Sequence, residues 1–279
     1  MNHDYAAVTL EDLAADYADP APPPTTDDSW ENDGVSIWPG LLNEEAMTDY
    51  EDAWLHANGG EPWRSPGGWD YCTPHRDVPA LARLVTHPRI MWWLDTLLGE
   101  PAGVHLTLTG WVTTTRDWHA DQYLNPPGVG GYYVAVWIAL DDIHPDSGPF
   151  QYVPGSHRWP PLAQAKVRAA LGEHGRGPDW PTRSEQLLTP LYEDAIAASG
   201  LPVVTYLPKR GDCLFWHSRL VHRGSRANVP GMERRALIAH YSGVNHRPDM
   251  PAAEPYGDGF VFPVDDRNGI PREQLTGGA

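Results

Sequence analysis

The stretch VHLTLTGWVTTTRDWHAD, Val104 to Asp121, decides how the rest of the chain is read. Its first half, Val104–Thr115, alternates apolar and β-branched residues with a period of two, the pattern of a half-buried strand, and places Thr107 and Thr109 on one face. It runs directly into His119-Ala-Asp121. Residues i and i+2 of a strand point to the same side, so this pair offers an imidazole nitrogen and a carboxylate oxygen to one point in space. A metal held by two protein groups is held loosely, and a third ligand must come from elsewhere. His217, His222 and His240, in the C-terminal strand candidates, are the available histidines. Of these, His222 is followed by Arg-Gly-Ser225, a small-residue turn that lets the backbone approach a ligand closely.

Two histidines and one carboxylate on one face of a metal leave three positions open, the facial arrangement of non-haem Fe(II) oxygenases; structural zinc more often takes three or four nitrogen or sulfur ligands. The same His-x-Asp spacing occurs at His75-Arg-Asp77 and His144-Pro-Asp146. Both lie among prolines or turn residues, where the alternation that aims a pair at one ion is lost.

Outward from this segment, further strand candidates are Tyr132–Leu140, Phe150–Val153, Val203–Leu207, Cys213–Trp216 and Arg235–Ser242, mostly with Gly, Pro or Asp nearby. Upstream, Asp33–Gly40 alternates like a short strand, Asn43 to His56 reads as a capped helix, and Val78 to Leu98 as one helix stopped by Gly99 and Pro101. Residues 161–200 read as an insertion with helices at Leu162–Leu171 and Ser184–Ala198. Residues 1–28, with one helical pattern at Thr9–Tyr17 and then an acidic proline-rich stretch, read as an N-terminal arm; 29–245 read as the functional domain and 246–279 as an irregular tail. With 27 glycines and 29 prolines in 279 residues, short strands and turns are favoured over long helices. The expected class is mainly β with flanking helices.

A net charge of −17 opposes nucleic acid and anionic membrane surfaces as partners and favours a neutral or cationic small molecule. Thirteen tryptophans suggest an aromatic-walled cleft for it. Two cysteines, Cys72 and Cys213, are too few for a disulfide framework, which points to a reducing compartment. No apolar run reaches the length of a membrane span, and the acidic N-terminus has no export signal pattern, so a cytoplasmic setting is expected.

Several segments then fall in one order: Asp33-Gly-Val-Ser-Ile-Trp-Pro-Gly-Leu-Leu-Asn-Glu-Glu45, Trp118-His-Ala-Asp121, Val136-Trp-Ile-Ala-Leu-Asp-Asp142, Ser147 to His157, Gly211 to His222, Gly224-Ser225, Asn228 and Arg234 to Tyr241. Together they resemble the phytanoyl-CoA dioxygenase-like family of Fe(II)/2-oxoglutarate oxygenases, over Trp30 to Tyr241. The resemblance implies a double-stranded β-helix, a cupin-like jelly roll with the metal at its mouth. It implies His119, Asp121 and His222 as iron ligands, Arg234 as the anchor of the distal carboxylate of 2-oxoglutarate, and Ser225 and Trp137 as residues lining the cosubstrate pocket. Arg235, facing the other side of the strand, is the fallback for Arg234. Arg223, inserted between His222 and Gly224 relative to the family's pattern, shifts the position of Ser225. The cofactors implied are Fe(II), 2-oxoglutarate and O2, with release of succinate and CO2. Related halogenases replace the carboxylate with a small residue, so Asp121 disfavours halogenation. The alternative is a non-oxidative cupin-type isomerase or metal-binding protein, which would have no need of Arg234.

Overall fold

The computed structural model describes residues 7–57, 73–113 and 115–264. Eleven strands are present among them: β1 (Val35–Trp38), β2 (Ala102–Gly110), β3 (Arg116–His119), β4 (Tyr133–Ala139), β5 (Phe150–Tyr152), β6 (Val204–Thr205), β7 (Cys213–His217), β8 (His222–Gly224), β9 (Ala236–Gly243), β10 (Glu254–Tyr256) and β11 (Gly259–Val261). They form two facing sheets. A seven-stranded sheet has the order β1-β7-β4-β9-β2-β11-β10 and a four-stranded one the order β3-β8-β5-β6, with every pairing antiparallel except β11 on β2. This is the expected jelly roll with flanking helices.

Alternation assigns the faces of the large sheet. On β4, Tyr133, Ala135, Trp137 and Ala139 point inward with Leu214, Trp216 and Ala236. Val134, Val136 and Ile138 point outward into a core shared with α3 (Glu44–Ala57), α4 (Pro79–Val85) and α5 (Pro88–Leu98). Strands buried on both faces read as unbroken apolar runs, as Tyr133–Ala139 does. Behind the small sheet, α1 (Leu10–Leu13), α6 (Gln164–Ala170) and α7 (Trp180–Ser199) close a third core around Trp118, Val153 and Val221. A short α2 (Asp28–Asp33), capped by the Asp27 carboxylate, leads into β1.

Three expectations are corrected. The helix read over Val78–Leu98 is two helices, because Pro88 has no N–H to donate and crowds the preceding turn; it starts α5, with His87 as the cap. The irregular tail contains the β10–β11 hairpin, which extends the large sheet through β2 and buries Phe262. Three-residue strands containing Pro255 carry no alternation to read. The N-terminal arm is laid on the barrel: Leu13 is buried against the third core, the Ala15 N–H donates to Pro161, and the Pro20 carbonyl accepts from Gly131. The pattern at Thr9–Tyr17 yields only one helical turn, closed by a Thr9–Asp12 capping box. Cys72 lies outside the described residues, and Cys213 is a buried thiol. No helix among the described residues is long and apolar enough to cross a membrane.

Candidate active site

β3 and β8 are neighbours in the small sheet, and their register sets His119 opposite His222. Residues directly opposite in an antiparallel pair project to the same side, so both rings enter the barrel, their centroids 4.2 Å apart. Asp121 follows β3 at the turn, where its N–H donates to the Ser218 carbonyl. The carboxylate lies between the rings: Oδ1 is 3.8 Å from His119 Nε2 and Oδ2 is 3.8 Å from His222 Nε2. One donor atom from each residue falls within 4.8 Å of the others, and all three side chains are buried. No other such group of metal-ligating side chains occurs among the described residues.

The protonation pattern suits a cation. His119 Nδ1 is 2.7 Å from the Asp117 carbonyl and His222 Nδ1 is 2.9 Å from that of Leu220. A carbonyl only accepts, so each Nδ1 carries the hydrogen and each Nε2 presents its lone pair. Burial drives both histidines toward the neutral form, lowering their pKa, with the Arg116 cation acting in the same direction. Burial alone would raise the pKa of Asp121; His222, His240, Arg116 and the Trp216 indole N–H outweigh it and keep the group anionic. Trp216 Nε1 donates to Asp121 Oδ2 at 3.1 Å, fixing the carboxylate's orientation as outer-shell partners of metal ligands do. The residues present therefore fit a divalent cation, held on one face.

Arg234 and Arg235 separate as strand parity requires. Arg235 points outward, paired with Asp141 and Glu51 and lying over the Trp111 ring. Arg234 is buried in the barrel beside His222's strand: its Nη1 lies 3.9 Å from where a side chain on Gly224 would begin. It has no carboxylate partner among the described residues. Nη1 donates to the Gly148 carbonyl at 2.7 Å, and Nε is buried without any partner. Burial lowers its pKa to about 10, so it remains a cation at neutral pH. Gly148 has φ +80°, and a Cβ there would lie 2.5 Å from the Ser225 carbonyl, so glycine is required where the Arg234 support meets the Ser225 turn.

Ser225 lies at that turn, its hydroxyl donating to the Pro149 carbonyl at 2.7 Å. Trp137 is on the inner face, edge-on to Tyr206. Thr107 and Thr109 share a face, but it is the helix face: Thr107 bonds His75 and Thr109 bonds Tyr50. An irregularity between Val104 and Leu106 resets the alternation there, which removes both threonines from the metal side. His75 is thereby a buried structural residue, and His144 and Asp146 sit half-exposed at a turn. Of the other candidate third ligands, His217 is turned toward Trp30 and His157, while His240 faces inward but bonds the Tyr133 hydroxyl.

Sequence reasoning missed Trp216 as the residue that orients Asp121, although its position in a fully buried strand beside two aromatic residues carries no signal distinguishing it from core. It also passed over Arg116, three residues before His119, whose Nε and Nη2 both reach Glu185 Oε1 on α7 at 2.8 Å. The turn Pro154–His157 also positions the site: Ser156 Oγ accepts the Val221 N–H at 2.8 Å, one residue before His222.

Within a jelly roll, two imidazoles and a carboxylate open on one side define the non-haem iron oxygenase class. Comparison with known proteins narrows the class. The pattern of the phytanoyl-CoA dioxygenase (PhyH) family matches residues 30–236. The chain is 25% identical over 189 residues to L-proline trans-4-hydroxylase from Streptomyces griseoviridis, covering 63% of this chain and 67% of that protein. It is 25% identical over 174 residues to the peroxisomal phytanoyl-CoA dioxygenase of Rattus norvegicus, covering 61% of this chain and 44% of the relative. The matches thus span about two thirds and under half of these relatives. Among solved structures, EctD from S. alaskensis with bound Fe superposes with a TM-score of 0.61 at 17% identity, covering 90% of this chain and 89% of that one. The chain belongs to the phytanoyl-CoA dioxygenase family, and through it to the 2-oxoglutarate-dependent oxygenases.

Proposed function

We propose that this protein is an Fe(II)- and 2-oxoglutarate-dependent dioxygenase that oxidises a C–H bond of a small molecule, such as an amino-acid derivative or a natural-product intermediate. His119 Nε2, Asp121 and His222 Nε2 hold the iron, and Arg234 holds the distal carboxylate of 2-oxoglutarate. The observation that carries this reading is Arg234 itself. A buried guanidinium with a free Nε and no counter-ion among the described residues, on the same side of the barrel as the triad, is a receptor for a carboxylate, and a protein that only stored or isomerised with a metal would have no use for it.

When bound, the iron and 2-oxoglutarate supply oxidation by O2, one oxygen atom entering succinate as CO2 leaves and the other entering the substrate. The chain's own residues prepare the site. Asp117 and Leu220 carbonyls keep the two Nε2 lone pairs available, and Trp216 holds Asp121 in place. Trp137 provides an apolar inner wall, and Ser225 shapes the turn behind Arg234. The burial of Arg234 strengthens its attraction for a carboxylate. The net charge of −17 supports a neutral or cationic substrate.

The test is anaerobic titration of Fe(II) and 2-oxoglutarate, followed by the weak visible charge-transfer band and by bound-metal analysis, in the wild type and in His119→Ala, Asp121→Ala and His222→Ala. The wild type is expected to develop the band and each variant to lose metal while staying folded. Normal iron binding with no 2-oxoglutarate band would favour the non-oxidative metal protein.

A further inference from the structure

Arg116 lies close enough to the triad for its charge to act on His119, Asp121 and His222. The irregular pairing of β3 with β8 places Arg116 opposite Gly224, while His119 stands opposite His222. Gly224 is two residues along β8 from His222, so Arg116 shares the inner face with the triad. β3 is also an edge strand of the small sheet, which leaves the long side chain free to lean around that edge toward the start of α7. The residue before it, Thr115, has φ +48°, a left-handed conformation that a β-branched residue rarely adopts. Such conformations persist where the surroundings fix them, often beside binding sites.

The contact with Glu185 is one-sided. Nε and Nη2 converge on a single oxygen, Oε1. Nη1 and Glu185 Oε2 have no hydrogen-bond partner among the described residues, and the two side chains are 35% and 26% exposed. Arg210 with Glu51 shows the contrasting, closed arrangement, each carboxylate oxygen taking its own guanidinium nitrogen. A half-exposed pair contributes little as a clamp. What it offers instead is a free guanidinium edge beside a free carboxylate oxygen.

We propose that Arg116 and Glu185 form a receptor for a zwitterionic substrate, an α-amino acid whose carboxylate meets the free edge of Arg116 and whose ammonium meets Oε2 of Glu185. This rests on the oxygenase reading and names its substrate class. A zwitterion carries no net charge, so the acidic protein does not repel it, and it leaves the receptor as neutral as it found it. The ion pair keeps both groups oriented before the ligand arrives.

The test is calorimetric binding to the anaerobic protein, with and without Fe(II) and 2-oxoglutarate. The probes are the twenty proteinogenic L-amino acids and, for the best binder, its des-amino acid and its decarboxylated amine. At least one amino acid is expected to bind, with both truncated analogues weaker by about tenfold or more. Glu185→Gln should weaken the amino acid roughly ten- to hundredfold yet leave the des-amino acid unchanged. Arg116→Met should weaken both acids and leave the amine unchanged, with Arg116→Lys in between. A clamp role would instead shift all three ligands together, or none, and would overturn the proposal. So would failure of every amino acid to bind a protein that shows the 2-oxoglutarate band. Amino-acid binding without that band would overturn the oxygenase reading alone.

Discussion

Replacing Arg234 by leucine removes a buried cation that has no counter-ion among the described residues, and it should affect the free and the 2-oxoglutarate-bound forms in opposite ways. In the free protein, burial lowers the guanidinium pKa from its ordinary value to about 10, equivalent to roughly 3 kcal/mol of desolvation that one hydrogen bond to Gly148 offsets only in part. The sign is clear: the charged form is disfavoured in the fold, so at neutral pH the residue subtracts from stability. Arg234→Leu without ligand should therefore be as stable as the wild type or more so, as when buried ions give way to apolar groups. With 2-oxoglutarate the order reverses. Loss of the buried ion pair should cost about 2–5 kcal/mol of binding, or about 30- to several-thousand-fold in affinity. At 2-oxoglutarate a hundredfold above the wild-type Kd, the wild type gains about 2.7 kcal/mol of stability, and the variant should gain less than about 1 kcal/mol. Chemical unfolding with and without 2-oxoglutarate in Fe(II)-loaded protein measures both effects. Arg235→Leu is the control, since that side chain faces Asp141, Glu51 and Trp111 on the outside. Weakened binding in Arg235→Leu alone would refute the assignment.

Trp216→Phe keeps the ring and deletes the N–H that holds Asp121 Oδ2; metal affinity should fall about ten- to hundredfold, read by competition with a chelator, while the fold survives. Acid should destabilise the metal-free protein well above the carboxylate range. Burial lowers His75 and His240 from 6.5 to about 4, so the unfolded chain binds their protons first. Their neutral burial contributes stability that is lost as pH falls below about 6.5, roughly 2 kcal/mol for each histidine between pH 7 and 5; unfolding midpoints at the two pH values measure it. Leu13→Ala should lower global stability by about 2–3 kcal/mol if the arm folds with the barrel, and an unchanged midpoint would mean that it frays independently.

Part of the triad was legible because its geometry is local, and His222 was reached only through the family resemblance. His119 and Asp121 are two residues apart, and the strand supplies the aim. That Arg234 and Arg235 face opposite sides was legible for the same reason, since adjacent residues of β9's approach must do so, while the preference for Arg234 came from the family resemblance. What failed depended on departures from ideal alternation or on distant partners. Thr107 and Thr109 share a face as their spacing requires, yet the irregularity near His105 decides which face that is. The β10–β11 hairpin exists only because β2 offers it an edge. Trp216 and Arg116 act through Asp121 and Glu185, contacts made across 95 and 69 residues that no local pattern encodes.

Charge balance predicts how the ligands of the site depend on each other. Asp121 contributes −1 and Arg234 +1, both buried, with neutral histidines between them. A dication bound at the triad would leave the interior at about +2, and dianionic 2-oxoglutarate alone would leave it at about −2; together they return it to zero, and a zwitterion at Arg116 and Glu185 keeps it there. Each ligand should therefore tighten the other, and by the same factor, because coupling between two binding sites is reciprocal. Titrating 2-oxoglutarate with and without metal, then metal with and without 2-oxoglutarate, measures both arms. At typical coupling free energies the expected enhancement is about five- to 150-fold. Arg234→Leu should reduce 2-oxoglutarate affinity in the presence and in the absence of metal, since the guanidinium acts on the carboxylate directly. Metal and 2-oxoglutarate binding without mutual enhancement would mean that the two do not share this interior, and the placement of the cosubstrate between the triad and Arg234 would fall.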